Sequence, residues 1–93
     1  MKAVIIRPYN EREVIDINNS LEALQQAVGG YIEPVYRPDD IIFLVNEEGN
    51  LLGLEPNILG LVGNILVVHN GGEDFISLND EEIKEWLDND KIS

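Results

Sequence analysis

The stretch Leu21 to Tyr36, LEALQQAVGGYIEPVY, decides the reading of the fold, because in it an amphipathic helix is stopped by two glycines and turned straight into a strand. Leu21, Leu24 and Val28 fall on one helical stripe beside Ala23 and Ala27, the spacing of a face made to be buried. Asn19 offers an N-cap, with Glu22 three residues later at capping-box spacing. Gly29 supplies the left-handed residue that ends the helix. A helix of about nine residues does not stand alone in water, so its stripe is expected to lie against a sheet. Tyr31 to Tyr36 then resumes strand character, and Pro34, which has no amide donor, puts that strand at an edge or a bulge.

The same punctuation extends outward. Lys2 to Arg7 (KAVIIR) is short and β-branched, Pro8-Tyr9-Asn10 makes a turn, and Glu13 to Ile17 returns as the second arm of a hairpin. Arg37-Pro38-Asp39-Asp40 turns the chain into the apolar run Ile41 to Asn46, paired with the strand before it. After a turn at Glu48-Gly49-Asn50, Leu51 to Leu54 reads as a short strand, and Pro56-Asn57 opens a helical turn through Leu59 that Gly60 ends. Gly63 to His69 (GNILVVH) is the most buried-looking strand; Asn70-Gly71-Gly72 turns tightly, and Asp74 to Leu78 returns antiparallel to it. The final helix is capped by Asn79, with Asp80 and Glu81 in its first turn and Glu82 closing a capping box. Leu78 and Ile83 stand at hydrophobic-staple spacing, and Ile83, Trp86 and Leu87 form the stripe that lays this helix, from Asp80 to about Asp88, on the domain.

The class predicted is α+β: a mostly antiparallel sheet of about five to six strands with two short helices. A chain of 93 residues is expected to form a single compact domain over residues 1–93, with only the last few residues loosely ordered. A hydrophobic fraction of 44% is that of an ordinary globular protein. The absence of cysteine excludes disulfides, thiolate nucleophiles and cysteine-ligated zinc. No apolar run approaches the roughly 20 residues of a membrane helix, and the apolar run Ala3 to Ile6 is too short for a signal peptide; a cytoplasmic protein of a bacterial host is the expectation.

Charge is the second large fact. Eighteen acids against 6 Lys and Arg give a formal net charge of −12. Phosphate backbones and anionic membranes are held by lysine and arginine, so direct binding to either is disfavoured. A surplus of carboxylates keeps small proteins soluble; its sharper consequence is a basic protein as partner. Glu81, Glu85 and Asp88 recur at i, i+4 and i+7, which puts three carboxylates on one helix face about 5 to 6 Å apart per step, near the spacing of a phosphate row. An ordinary solvated face gives the same pattern.

Motifs for chemistry are few. His69 is the single histidine, and the serines are Ser20, Ser77 and Ser93, with no GxSxG elbow. Adjacent acids at Asp39-Asp40, Glu47-Glu48, Glu73-Asp74 and Glu81-Glu82 sit in turns or a helix cap, where capping explains them. Neither DxDxDG nor a phosphate-cradling glycine motif occurs, so no metal, cofactor or catalytic residue is assigned. Tyr31, Tyr36 and Phe43 read as core aromatics.

The order KAVIIRP, LEALQQAVGGYIEPVY, NEEGNLLGLEPN and SLNDEEIKEWL resembles a family of small proteins from bacteriophages, plasmids and Firmicutes mobile elements, known as domain of unknown function 3846. The match spans nearly the whole chain and departs from the family at Leu59 to Gly63, where similar proteins carry a longer turn. The resemblance implies a phage or mobile-element accessory protein, in genomic company that often modulates host defence, and it brings no catalytic residue.

Three functional expectations follow. The first is a non-enzymatic protein whose acidic surface, with Glu81, Glu85 and Asp88, occupies a basic nucleic-acid-binding site on a host protein. The second is a small-ligand or nucleotide-binding module with a pocket formed by Gly30, Tyr31, Glu33, Tyr36 and Asn57. The third is an enzyme using His69 and a carboxylate. A homodimer through the Pro34 strand or through Trp86 stands beside a monomer.

Overall fold

The β-branched run Lys2–Arg7 forms β1, and Glu11–Asp16 forms β2, its antiparallel neighbour from Lys2↔Asp16 to Arg7↔Glu11. The computed structural model describes residues 1–91; Ile92 and Ser93, on which part of the expectation of a loose tail falls, lie outside the described residues. Leu21–Val28 is α1, Ile32–Arg37 is β3, Ile41–Asn46 is β4, Ile65–Asn70 is β5, Phe75–Ile76 is β6 and Asp80–Leu87 is α2. The six-stranded sheet runs β2-β1-β5-β4-β3, antiparallel at every pairing, so the late strand β5 is inserted between the two earlier hairpins. Beyond the end of β1, β5 pairs instead with β6, through His69↔Ile76 and Asn70↔Phe75.

Alternation along the central strands builds two cores. On one face Val4, Ile6, Ile41, Phe43, Val45, Ile65 and Val67 pack with Trp86 of α2. On the other, Ala3, Ile5, Ile42, Leu44, Leu66 and Val68 pack with Leu24 of α1. This is why the β4 and β5 runs read as continuously apolar: each covers a buried surface on both sides. The α+β class and the two helices are as the sequence predicts.

Both two-stranded hairpins turn on an Arg-Pro pair followed by two left-handed residues, Tyr9-Asn10 in one and Asp39-Asp40 in the other. Asn and Asp tolerate that conformation because their short polar side chains bond locally; Tyr9 does not, and its hydroxyl is held by Glu55 Oε2 at 2.8 Å. Pro34 sits on the sheet's outer edge as expected. The carbonyl of Tyr31 accepts from Glu47 N, so Tyr31, Glu33 and Val35 direct their backbone groups toward β4, while Ile32, Pro34 and Tyr36 direct theirs outward.

Several local expectations are corrected. Ser20, not Asn19, caps α1, accepting from Ala23 N at 3.2 Å. Asn19 is drawn away to Asp74 Oδ1 and the Phe75 carbonyl, which ties the helix entry to β6. With the cap one residue later, Leu21 lies in the first turn and is exposed, and Leu24 and Val28 alone are buried. Leu51 to Leu54 forms no strand; it is a series of turns with Leu51 and Leu52 in solvent, its amides bonded locally, Leu52 N to Glu48 O, Gly53 N to Asn50 O and Leu54 N to Gly49 O. β2 begins at Glu11 and ends at Asp16 rather than running from Glu13 to Ile17, and the return after β5 is ordered as strand for two residues only. Phe43 is core, whereas Tyr31 and Tyr36 are 64% and 67% exposed on the edge strand.

Candidate functional site

Helix α2 is made by its first turn. Asn79 Oδ1 accepts from Glu82 N at 2.8 Å while Glu82 Oε1 accepts from Asn79 N at 2.9 Å, the full capping box, and Asp80, Glu81 and Glu82 stand at the positive end of the helix dipole. Trp86 anchors the inner side. It is 2% exposed and meets Phe43 of β4 edge to face, ring centroids 5.2 Å apart. The helix therefore has one orientation on the sheet, and its outer side carries the acids.

Glu81, Glu85 and Asp88 are all exposed, as the spacing predicts. Their row is less regular than a helix face would make it. Asp88 is the C-cap, with φ −70 and ψ 116, so it has left the helix, and Glu85 Oε1 lies 2.6 Å from the ammonium of Lys91. Beside them a cleft of about 210 Å³ opens between α2 and the β3–β4 hairpin. It is lined by Glu82, Glu85 and Trp86 from the helix, Pro38 and Asp39 from the hairpin, and Lys91. Sequence reasoning missed Asp39 and Lys91, because nothing local links a hairpin turn to a helix 40 residues on.

Arg12 of β2 was also missed, and it organises the end of α2. Its guanidinium donates to Asn10 Oδ1 and to the Trp86 carbonyl, each at 2.8 Å, and to the Lys91 carbonyl. A cation on the last carbonyls of a helix complements the dipole there. Partial burial lowers the Arg12 pKa from its ordinary value, an effect opposed by Asp88 and Asp90. A lone arginine between Glu11 and Glu13 in a strand is the one signal that could have pointed to it.

His69 Nδ1 lies 2.8 Å from Glu82 Oε2. The Glu82 carboxylate thus holds the N-cap with one oxygen and the imidazole with the other. Among the described residues no group of three or more His, Cys, Asp or Glu is placed to hold a metal ion, and no helix is long and apolar enough to cross a membrane.

The five residues expected to form a ligand pocket are not brought together. Gly30 backs onto Asn46, where a Cβ would stand 2.9 Å from Asn46 Nδ2, so its smallness is needed for helix-to-strand packing. Tyr31 lies exposed in the bend just before β3. Glu33 and Tyr36 are an odd number of residues apart on one strand and so project to opposite faces: Glu33 borders a hollow with Asn46 and Leu61, Tyr36 another with Ile42, Glu73 and Phe75. Asn57 clamps a loop, donating to the carbonyls of Ile6 and Gly63 at 2.9 and 2.7 Å.

No curated protein and no solved structure matches the chain. A family model does match, over residues 1–90, and it takes in every element from β1 to α2 together with Arg12, Asp39 and the acids of the cleft. The chain belongs to the family described as Domain of unknown function (DUF3846).

Proposed function

We propose that the protein is a non-enzymatic binding protein whose acidic surface, centred on α2, engages a basic site on a partner protein. The observation that carries this reading is the exposure of Glu81 and Glu85 on the outer side of α2 and of Asp88 at its C-cap, with Asp39 lining the cleft beside Glu85, on a helix whose inner side is committed to the core through Trp86. Carboxylates on a rigid support keep their spacing, so a complementary basic surface meets them without an ordering cost. Among the described residues the acids in ion pairs with lysine, arginine or the N-terminus are Glu13, Asp16 and Glu85, which leaves most of the negative charge available for long-range attraction.

The wider role proposed is that of a phage or mobile-element accessory protein acting in the cytoplasm of a bacterial host, with a nucleic-acid-binding site on a host protein as target. The same charge that draws such a site repels nucleic acid itself. One feature weighs against the ligand-pocket reading: its expected residues are dispersed over both faces of the sheet.

The test is affinity capture from host lysate at low and high salt, with the wild-type chain and with Glu81→Lys/Asp88→Lys side by side. A partner held at low salt, released at high salt and lost on charge reversal is the result expected. Capture that is indifferent to both salt and charge reversal would refute the reading.

A further inference from the structure

The cleft between α2 and the β3–β4 hairpin already contains a cation, and it belongs to the chain itself. Lys91 Nζ lies 2.6 Å from Glu85 Oε1 and 5.4 Å from the centre of the Trp86 ring, a carboxylate and an aromatic face converging on one ammonium group. Asp39 and Glu82 also line the cleft, which therefore holds three carboxylates to one lysine and remains acidic with Lys91 in place. Asp39 reaches it from a turn held in the left-handed conformation at φ 63, whereas Glu82 and Glu85 come from one side of α2.

Lys91 is not built in as a core lysine would be. It lies beyond the end of α2 on a short segment held through its backbone, by Lys91 N donating to Asp88 O and by Arg12 donating to Lys91 O. The segment therefore stays in place when the side chain leaves. The Glu85 carboxylate is open to solvent, where an ion pair contributes little, and an arriving cation restores the contact with carboxylate and ring that Lys91 gives up, so a second cation displaces this one at little cost.

Resting on the reading of the protein as a binder of basic partners, we propose that this cleft is the subsite for a single lysine or arginine side chain of the partner, and that Lys91 occupies it in the free protein. The other acids of the surface then act at long range, and the cleft supplies the close contact: an alkyl stem along Pro38 and Trp86 and a charged head between Asp39 and Glu85, with Glu82, held by the N-cap and His69, adding negative charge to the wall.

The chain has one tryptophan, and it forms the wall of this cleft, so its emission reports occupancy directly. The full chain is titrated with hexa-arginine at low salt, following Trp86 fluorescence and heat. Lys91→Ala is expected to tighten binding roughly three- to fivefold beyond Lys84→Ala, which removes the same charge from an exposed position on α2. Asp39→Asn, tolerated in a left-handed turn, is expected to weaken binding by a similar factor beyond Glu22→Gln on the far face, and to reduce the change in Trp86 emission. If the peptide binds with salt-sensitive affinity but Lys91→Ala matches Lys84→Ala and Asp39→Asn matches Glu22→Gln, the subsite is refuted while the acidic-surface reading stands. If neither the wild-type chain nor Lys91→Ala binds the peptide, both fail.

Discussion

The two helices are equal in length, 8 residues each, and lie on opposite faces of one sheet, yet they end by opposite means. α1 is stopped locally. Gly29 takes the left-handed conformation at φ 81, and the amides of Gly29 and Gly30 both return to the Gln25 carbonyl. Its last carbonyls are met by neutral amides, Asn64 at Ala27 O and Asn46 at Val28 O, each at 3.1 Å. α2 has no glycine; Asp88 simply leaves the helix, and a charged side chain from β2 holds the Trp86 carbonyl and the segment beyond. A helix that ends on its own sequence serves as a structural element. A helix whose end is fastened from elsewhere, and whose outer side is acidic, leaves its surface free for other work.

That contrast can be broken from the α2 side first. Trp86→Ala removes the anchor of the acid-bearing helix and is expected to cost about 3 to 5 kcal/mol in denaturant unfolding followed by circular dichroism; a smaller loss than Leu24→Ala gives would make α1 the heavier anchor and reverse the comparison. Arg12→Ala is expected to cost about 2 kcal/mol and to speed amide exchange at the end of α2 while leaving α1 protected. Arg12→Lys should recover little of this, because an ammonium cannot reproduce the planar fork that spans Asn10, Trp86 and Lys91. Gly29→Ala strains the stop of α1 and should cost about 1 kcal/mol, with the exchange effect now confined to α1.

The smallest expected effect concerns neither helix and sets the background for both. A hydrogen bond from the Met1 ammonium, then Lys2, holds the Asp16 carboxyl below the usual carboxylate range. A lowered folded-state pKa means that the contribution is complete above the ordinary range and disappears as pH falls through the lowered value. Asp16→Asn should therefore lower Tm slightly at neutral pH, and the two proteins should converge on acidification; a gap that persists in acid would show that the side chain acts through packing instead.

Much of the fold was legible because its signals are local. Hydrophobic runs marked β1, β4 and β5, Pro34 marked the edge, and Asn79 with Glu82 marked the start of α2 to the residue. Where two caps competed at Asn19 and Ser20, the outcome lay with Asp74 and Phe75, residues more than 50 positions away that claimed the asparagine. Leu51 to Leu54 had the composition of a strand, but its amides close local turns on Glu48, Gly49 and Asn50 instead. The acids of α2 were legible as a row, but Lys91 within reach of Glu85, and Asp39 across the cleft, were not.

By itself, then, the sequence determined what depends on near neighbours and on sums: the periodicities that make strands and helices, the glycine stop of α1 and the capping box of α2, the charge of −12 and the chemistry that cysteine's absence rules out. Only the tertiary structure decided which distant groups meet. It scattered Gly30, Tyr31, Glu33, Tyr36 and Asn57, and it gathered Arg12, Asp39, Glu85, Trp86 and Lys91 around one end of one helix. The physical reason is that capping and patterning act within a few residues, whereas an ion pair or a cleft depends on the order of strands in the sheet, which no local interaction specifies.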